Sequence, residues 1–110
     1  MSKASIERIK ARIGFERFEL KLNAATREQK LLLASKPSPG RPCKVKLFPD
    51  AKSAYGQMWE YAVVGGYIES EKGIKAFVIF TERENADGDE DFGFVDLRQI
   101  KIYQKEKVHV

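Results

Sequence analysis

The sequence predicts an α+β domain in which N-terminal helices and a strand pack on a small, strongly bent antiparallel β-barrel. Apolar residues recur at helical spacing before residue 35, whereas short segments of alternating apolar and polar residues follow residue 42. A glycine pair, Gly65 and Gly66, interrupts the longest of these segments and indicates a bulge or a sharp bend. Because closure removes exposed strand edges, five such strands favour a small barrel over an open sheet.

The 110 residues have room for one domain, 1–110, which we divide into three parts. Residues 1–35 form a helix–strand–helix part, residues 36–42 a proline-rich connector, and residues 43–104 the β-barrel part. The connector, KPSPGRP, contains three prolines and one glycine, which prevent a helix from continuing through it.

The first part begins with an amphipathic helix. Ile6, Ile9 and Ile13 have the spacing of one helix face, and Gly14 is expected to end the helix. The segment FERFELKL, residues 15–22, then alternates apolar and polar residues as a half-buried strand does.

A second, short helix is expected before the connector. Thr26 and Gln29 have the spacing of a capping box, in which each side chain bonds the other residue's backbone N–H. The apolar run that follows, LLLA, gives this helix an apolar end.

The first barrel strand is CKVKLF. Cys43 and Val45 alternate in it with Lys44 and Lys46. We therefore expect the cysteine in the core and the two lysines together on the other face.

The longest strand follows at residue 58. Trp59, Tyr61 and Val63 are in phase along it, and we assign Trp59 and Tyr61 to the core. Gly73 is expected to supply a positive φ in the next turn. Residues 74–82 are apolar on both faces at their centre, which predicts a strand that is covered on both sides.

The run from Cys43 to Tyr103 resembles SH3-like and Tudor-like barrels. WEYAVV, AFVIF and FGFVDLRQIKIY match the order of a tryptophan-led strand, an apolar strand and a valine strand, with a turn before the closing strand. The resemblance implies a small closed barrel. A PUA-like pseudobarrel, in which helices pack around bent strands, explains the N-terminal helices equally well.

Composition argues against several classes of function. No apolar run is long enough to span a membrane. The single cysteine, Cys43, has no partner for a disulfide or for a metal-binding pair, and the sole histidine, His109, is next to the C-terminal residue. Phosphate-binding loops and nucleophile motifs are not found in the sequence. We therefore expect a non-enzymatic cytoplasmic protein without a metal or a cofactor.

The charge of the chain is unevenly distributed. Residues 1–48 contain 12 Lys and Arg against 4 Asp and Glu, whereas residues 49–110 contain 8 against 12. A basic half suits a polyanionic partner. The leading hypothesis is therefore a small binding or regulatory module for nucleic acid, either RNA or single-stranded DNA.

Five residues are candidates for this contact. Lys36, Arg41, Lys44 and Lys46 are expected to bind phosphates, and Tyr55 is expected to stack on a base. The Gly-Arg-Pro core among them is also typical of segments that enter the minor groove of DNA. Its place directly before a strand favours a connector.

The alternative is a module that binds a basic protein partner, for instance an accessory protein or an inhibitor of phage or plasmid type. Its contact surface would be the acidic loop at residues 84–91. With Gly88 as the turn glycine, a calcium loop would begin at Arg83 and end at Phe94, which lack the required carboxylates. The candidate partner-binding residues are Glu84, Asp87, Asp89, Glu90 and Asp91.

Overall fold

The computed structural model describes residues 3–46, 59–84 and 90–103. The helices are α1 (Lys3–Ile13) and α2 (Arg27–Leu33); the strands are β1 (Pro42–Lys46), β2 (Trp59–Ser70), β3 (Gly73–Glu84), β4 (Glu90–Asp96) and β5 (Ile100–Ile102). This content confirms the predicted α+β class. Among the described residues, neither helix is long and apolar enough to cross a membrane.

The five strands form one antiparallel sheet in the order β4-β3-β2-β1-β5. Strands β1 to β4 pair in sequence, and β5 returns to pair with β1, where Ile100 lies opposite Val45. Within the described ranges the sheet is not closed, since β4 and β5 are its two edges. Closure into a barrel stays a prediction.

Each face of the sheet has its own apolar core. On one face, Ile9 of α1 and Phe15 cluster with Phe77 and Ile79 of β3. On the other face, Leu33 of α2 packs with residues from four strands. These residues are Cys43, Val45, Ala62, Val64, Tyr67, Ala76, Val78, Phe80 and Ile100. Strand β3 contributes to both cores, which confirms the prediction that both of its sides are covered.

The strand predicted for residues 15–22 is wrong. Phe15–Arg17 forms a short 3-10 helix, and Glu19 makes only an isolated bridge to β2. The Phe15 carbonyl accepts hydrogen bonds from the backbone N–H groups of Phe18 at 2.9 Å and Glu19 at 3.0 Å. Phe15 is consequently 1% exposed while Phe18 is 64% exposed. Burial of one large ring in the α1 core therefore outweighs the alternating pattern.

The glycine pair of β2 forms the predicted bulge. The register between β2 and β3 shifts between Val64 and Gly66. Val64 and Tyr67, three residues apart, belong to the same core. Before the bulge the even-numbered residues of β2 face the core that contains Leu33, and after it an odd-numbered residue, Tyr67, does so.

Helix α2 begins at the predicted capping box. The Gln29 backbone N–H donates to Thr26 Oγ1 at 3.2 Å, and the Thr26 backbone N–H donates to Gln29 Oε1 at 2.8 Å. Caps of this kind contribute about 1 kcal/mol. Leu33 in the last turn is buried and fixes the helix to the sheet just before the connector.

Candidate functional site

The strand register brings basic and aromatic side chains together on one face of β1, β2 and β5. Lys44 lies opposite both Tyr61 and Lys101, and Lys46 lies opposite Trp59. Directly paired residues of neighbouring strands point to the same side of a sheet. We call this surface the basic-aromatic face; its members are Lys44, Lys46, Trp59, Tyr61, Lys101 and, by ring contact, Tyr103.

Contacts between rings and ammonium groups order this face. Lys44 Nζ lies 5.0 Å from the centroid of the Trp59 ring, and Lys101 Nζ lies 5.4 Å from it. The rings of Tyr61 and Tyr103 pack at a centroid distance of 4.8 Å and an angle of 56°. Tyr61 is 45% exposed, whereas Trp59 is half-buried. Lys44 and Lys101 are thus held by one aromatic ring, and the paired rings of Tyr61 and Tyr103 lie beside them.

The lysines of the basic-aromatic face have no ion pair with an acidic group of the described residues. Elsewhere, basic side chains do find carboxylates. Lys75 pairs with Asp96 across β3 and β4, and Lys10 lies 3.9 Å from Glu19. The positive charge of the face is therefore not cancelled within the part of the chain that the structure describes.

The predicted phosphate contacts lie in two adjoining places. Lys44 and Lys46 share the basic-aromatic face. Lys36 and Arg41 line a groove of about 480 Å³ at the end of the face, together with Tyr103. Tyr55, the predicted stacking residue, lies outside the described residues.

The Gly-Arg-Pro stretch is a turn that leads into β1. The Arg41 backbone N–H donates to the Ser38 carbonyl at 3.0 Å, and Gly40 between them has a φ of 89°. Pro39 precedes this glycine, so the turn has the Pro-Gly arrangement of type II. The Gly40 N–H also donates to the Val64 carbonyl at 2.7 Å. Because this backbone is bonded into the sheet, it is not the extended segment that a minor-groove contact needs.

The assignment of Trp59 and Tyr61 to the core is wrong. The buried set of this strand segment is Ala62 and Val64, which belong to the core that contains Leu33. Alternation alone identifies two sets of positions and does not say which one is buried. The register decides between them, because Trp59 lies opposite Lys46 and therefore shares the side of the sheet on which the lysines of β1 lie. In the same way, alternation in IKIY puts Lys101 and Tyr103 together on one side of the chain.

The acidic loop lies largely outside the described residues, Asp87 and Asp89 included. Glu84 and Glu90 pair through their backbones at the ends of β3 and β4. The carboxylate of Asp91 accepts a hydrogen bond from the Phe92 N–H at 3.0 Å. In the described ranges there is no group of three or more His, Cys, Asp or Glu residues that could hold a metal ion.

Cys43 is a core residue, as predicted. Its side chain is fully buried. Burial raises the pKa of the Cys43 thiol to about 12, so the thiol stays protonated at neutral pH. A protonated thiol without access to solvent is a poor nucleophile.

Comparison of the chain with known proteins found no matching protein family, no matching curated protein and no matching solved structure.

Proposed function

We propose that this protein binds single-stranded nucleic acid, either RNA or single-stranded DNA, on the basic-aromatic face. One observation carries the proposal: the ammonium groups of Lys44 and Lys101 both lie over the Trp59 ring, beside the exposed Tyr61 ring, without acidic partners among the described residues. Proteins that bind single strands combine this positive charge, which follows the backbone, with aromatic rings on which bases stack.

In this proposal the tyrosines of the face stack on bases and its lysines bind phosphates. Tyr61 is the more exposed ring and is the platform for a base, and Tyr103 supports it from the side. The ammonium groups of Lys44, Lys46 and Lys101 bind phosphates. Trp59 orients those of Lys44 and Lys101, since contact with its ring restricts these otherwise flexible side chains.

The exposed ring of Tyr61 favours a single strand over a duplex. Bases within a duplex are paired and stacked on their neighbours, so their faces are covered. The bases of a single strand can leave the stack and lie on an aromatic ring instead, and Tyr61, which is 45% exposed, offers such a ring.

The pairing of β5 with β1 is consistent with this proposal. Strand β5 follows the short Leu97–Gln99 helix and pairs with β1, which is the place of a closing strand in the SH3-like or Tudor-like barrel that the sequence resembles. Small β-barrels often bind single strands on one face of the sheet. A non-enzymatic role and a cytoplasmic location belong to the same proposal.

The direct test measures the anisotropy of labelled oligonucleotides of about eight nucleotides, a length within the usual site sizes. Single-stranded RNA, single-stranded DNA and duplex are titrated at about 50 mM and about 200 mM salt. We expect tighter binding of the single strands, with an affinity that falls as salt rises. Replacing Tyr61 by alanine is expected to weaken binding about 5- to 150-fold, because one stacked base contributes about 1–3 kcal/mol.

The matched control is Phe18→Ala, which removes another exposed ring far from the face in sequence and is expected to leave affinity unchanged. Absence of binding to every oligonucleotide at the lower salt concentration would contradict the proposal. In that case the alternative, a basic protein partner at the acidic loop 84–91, becomes the hypothesis to test.

A further inference from the structure

The groove beside the basic-aromatic face combines two cationic side chains with an aromatic one. Lys36, Arg41 and Tyr103 line it, and its volume is about 480 Å³. Its other lining residues are Ala34, Pro37, Ser38, Pro42 and Ile102, so none of the described residues that line it carries a carboxylate. By contrast, a second groove that Arg41 lines also contains Glu7.

Positive charge is concentrated at the first groove. Lys36 Nζ donates a hydrogen bond to the Ile100 carbonyl at 3.0 Å, which holds the ammonium group at the edge of β5. Burial and the neighbouring charge of Lys101 both lower the pKa of Lys36. The proximity of these ammonium groups, with Arg41 in the same groove, is unfavourable until an anion lies between them.

The groove is continuous with the base platform. Tyr103 lines the groove, and its ring packs against Tyr61 at a centroid distance of 4.8 Å. Lys101, whose positive charge helps to lower the pKa of Lys36, also lies over the Trp59 ring. A nucleotide whose base stacks on Tyr61 therefore has its neighbouring phosphate within reach of the groove.

The backbone around the groove is fixed before any ligand binds. The buried Tyr67 hydroxyl donates to the Pro37 carbonyl at 2.6 Å. The Ser38–Arg41 turn is closed by its own hydrogen bond and tied to β2 through Gly40. Such preorganisation reduces the entropy that is lost on binding.

We propose that this groove is a phosphate pocket, in which Lys36 and Arg41 bind the phosphate that adjoins the base on Tyr61. The proposal rests on the proposed function. It adds a specific anion site next to the stacking site and extends the path of the strand beyond the basic-aromatic face. Arg41 is suited to this role because its planar guanidinium group can bond two phosphate oxygens at once.

The test compares wild type, Lys36→Gln, Arg41→Gln and the double variant in titrations of labelled oligouridine over a range of salt concentrations. The double variant removes two phosphate contacts. We expect the slope of log affinity against log salt to fall by about 1.4, and the affinity at about 0.1 M salt to fall about 25-fold. Arg41→Lys keeps the charge and is expected to keep most of the slope.

The source of the phosphate is distinguished by oligouridine with and without a 5′-phosphate. Equal affinity for the two in wild type assigns the pocket to a backbone phosphate. A preference for the phosphorylated oligomer that Arg41→Gln abolishes assigns it to a terminal phosphate. Either result supports a phosphate pocket when Arg41→Gln also lowers the salt slope.

The control is Lys72→Gln, which removes an exposed lysine from the β2–β3 turn. Strand β2 begins at Trp59 and ends just before this turn, so Lys72 is distant from Trp59 along the strand. Unchanged affinity and slope in Arg41→Gln, while Tyr61→Ala weakens binding, would overturn the phosphate pocket and leave the proposed function standing. Failure of wild type to bind any oligomer would overturn both. Lys36 also donates a hydrogen bond to the Ile100 carbonyl, so its replacement could affect folding, and the melting temperatures of all variants are compared. If Lys36→Gln does not fold, the result for Arg41→Gln alone decides whether the phosphate pocket stands.

Discussion

Replacing Gly65 by alanine is expected to lower the free energy of unfolding by about 1–3 kcal/mol, a large share of the stability of a small domain. The reason is the close approach of β2 to β3 at the bulge. A Cβ atom at Gly65 would overlap the ring of Phe77, which is fully buried. Phe77 also packs against Phe15 at a centroid distance of 5.0 Å and against Phe92 at 5.7 Å, so the ring has little room to move. Urea unfolding measures the change as a lower midpoint with an unchanged slope.

Gly93→Ala is the matched control, because a Cβ there would lie 3.9 Å from the nearest side chain, an ordinary contact. It is expected to be neutral or slightly stabilising, since alanine restricts the unfolded chain more than glycine does. In a Phe77→Leu background the Gly65 substitution should destabilise the protein less, because the ring that it meets is gone. Equal effects of Gly65→Ala in both backgrounds would contradict this account of the bulge.

Replacing the three lysines of the basic-aromatic face by glutamine is expected to lower affinity for single strands about 100-fold at about 0.1 M salt. The variant is Lys44→Gln, Lys46→Gln, Lys101→Gln. Each lost phosphate contact lowers the slope of log affinity against log salt by about 0.7 for a single strand, so the slope should fall by about 2.1. Anisotropy titrations at several salt concentrations give both quantities.

A triple control removes the same charge elsewhere on the surface. Lys21, Lys30 and Lys72 are exposed and lie outside the face. Their replacement by glutamine is expected to change the affinity far less, since surface charges beyond about one Debye length of the strand are screened. Equal losses in the two triple variants would mean that net charge, and not this face, drives binding.

Local patterns predicted most of the secondary structure because they act over a few residues. The isoleucine spacing of α1, the Thr26 cap and the bulge at Gly65–Gly66 are all confirmed. Gly73 has the expected positive φ of 106° in the β2–β3 turn. The 3-10 helix at Phe15–Arg17 was missed because its cause is not local: Phe15 is buried against Phe77, which is 62 positions later in the chain.

The candidate site was harder to predict than the fold. Alternation placed Lys44 and Lys46 on one side of β1, which the structure bears out. It could not place Tyr61 on that same side, because this depends on the register between β1 and β2. The contribution of Lys101 required the return of β5 to β1, a pairing of residues far apart in sequence. Sites assembled from several strands depend on such registers, and the local pattern within one strand does not reveal them.

Trp59 gives the most direct test of the central claim, because it is the sole tryptophan of the chain and its ring contacts two lysines of the basic-aromatic face. Its fluorescence is followed while unlabelled oligouridine is added at about 50 mM salt, and salt is then raised. We predict a saturable change in Trp59 emission that salt reverses and that Tyr61→Ala shifts to higher oligomer concentration. Binding that anisotropy detects while Trp59 emission stays constant would place the nucleic acid on another surface and contradict the claim.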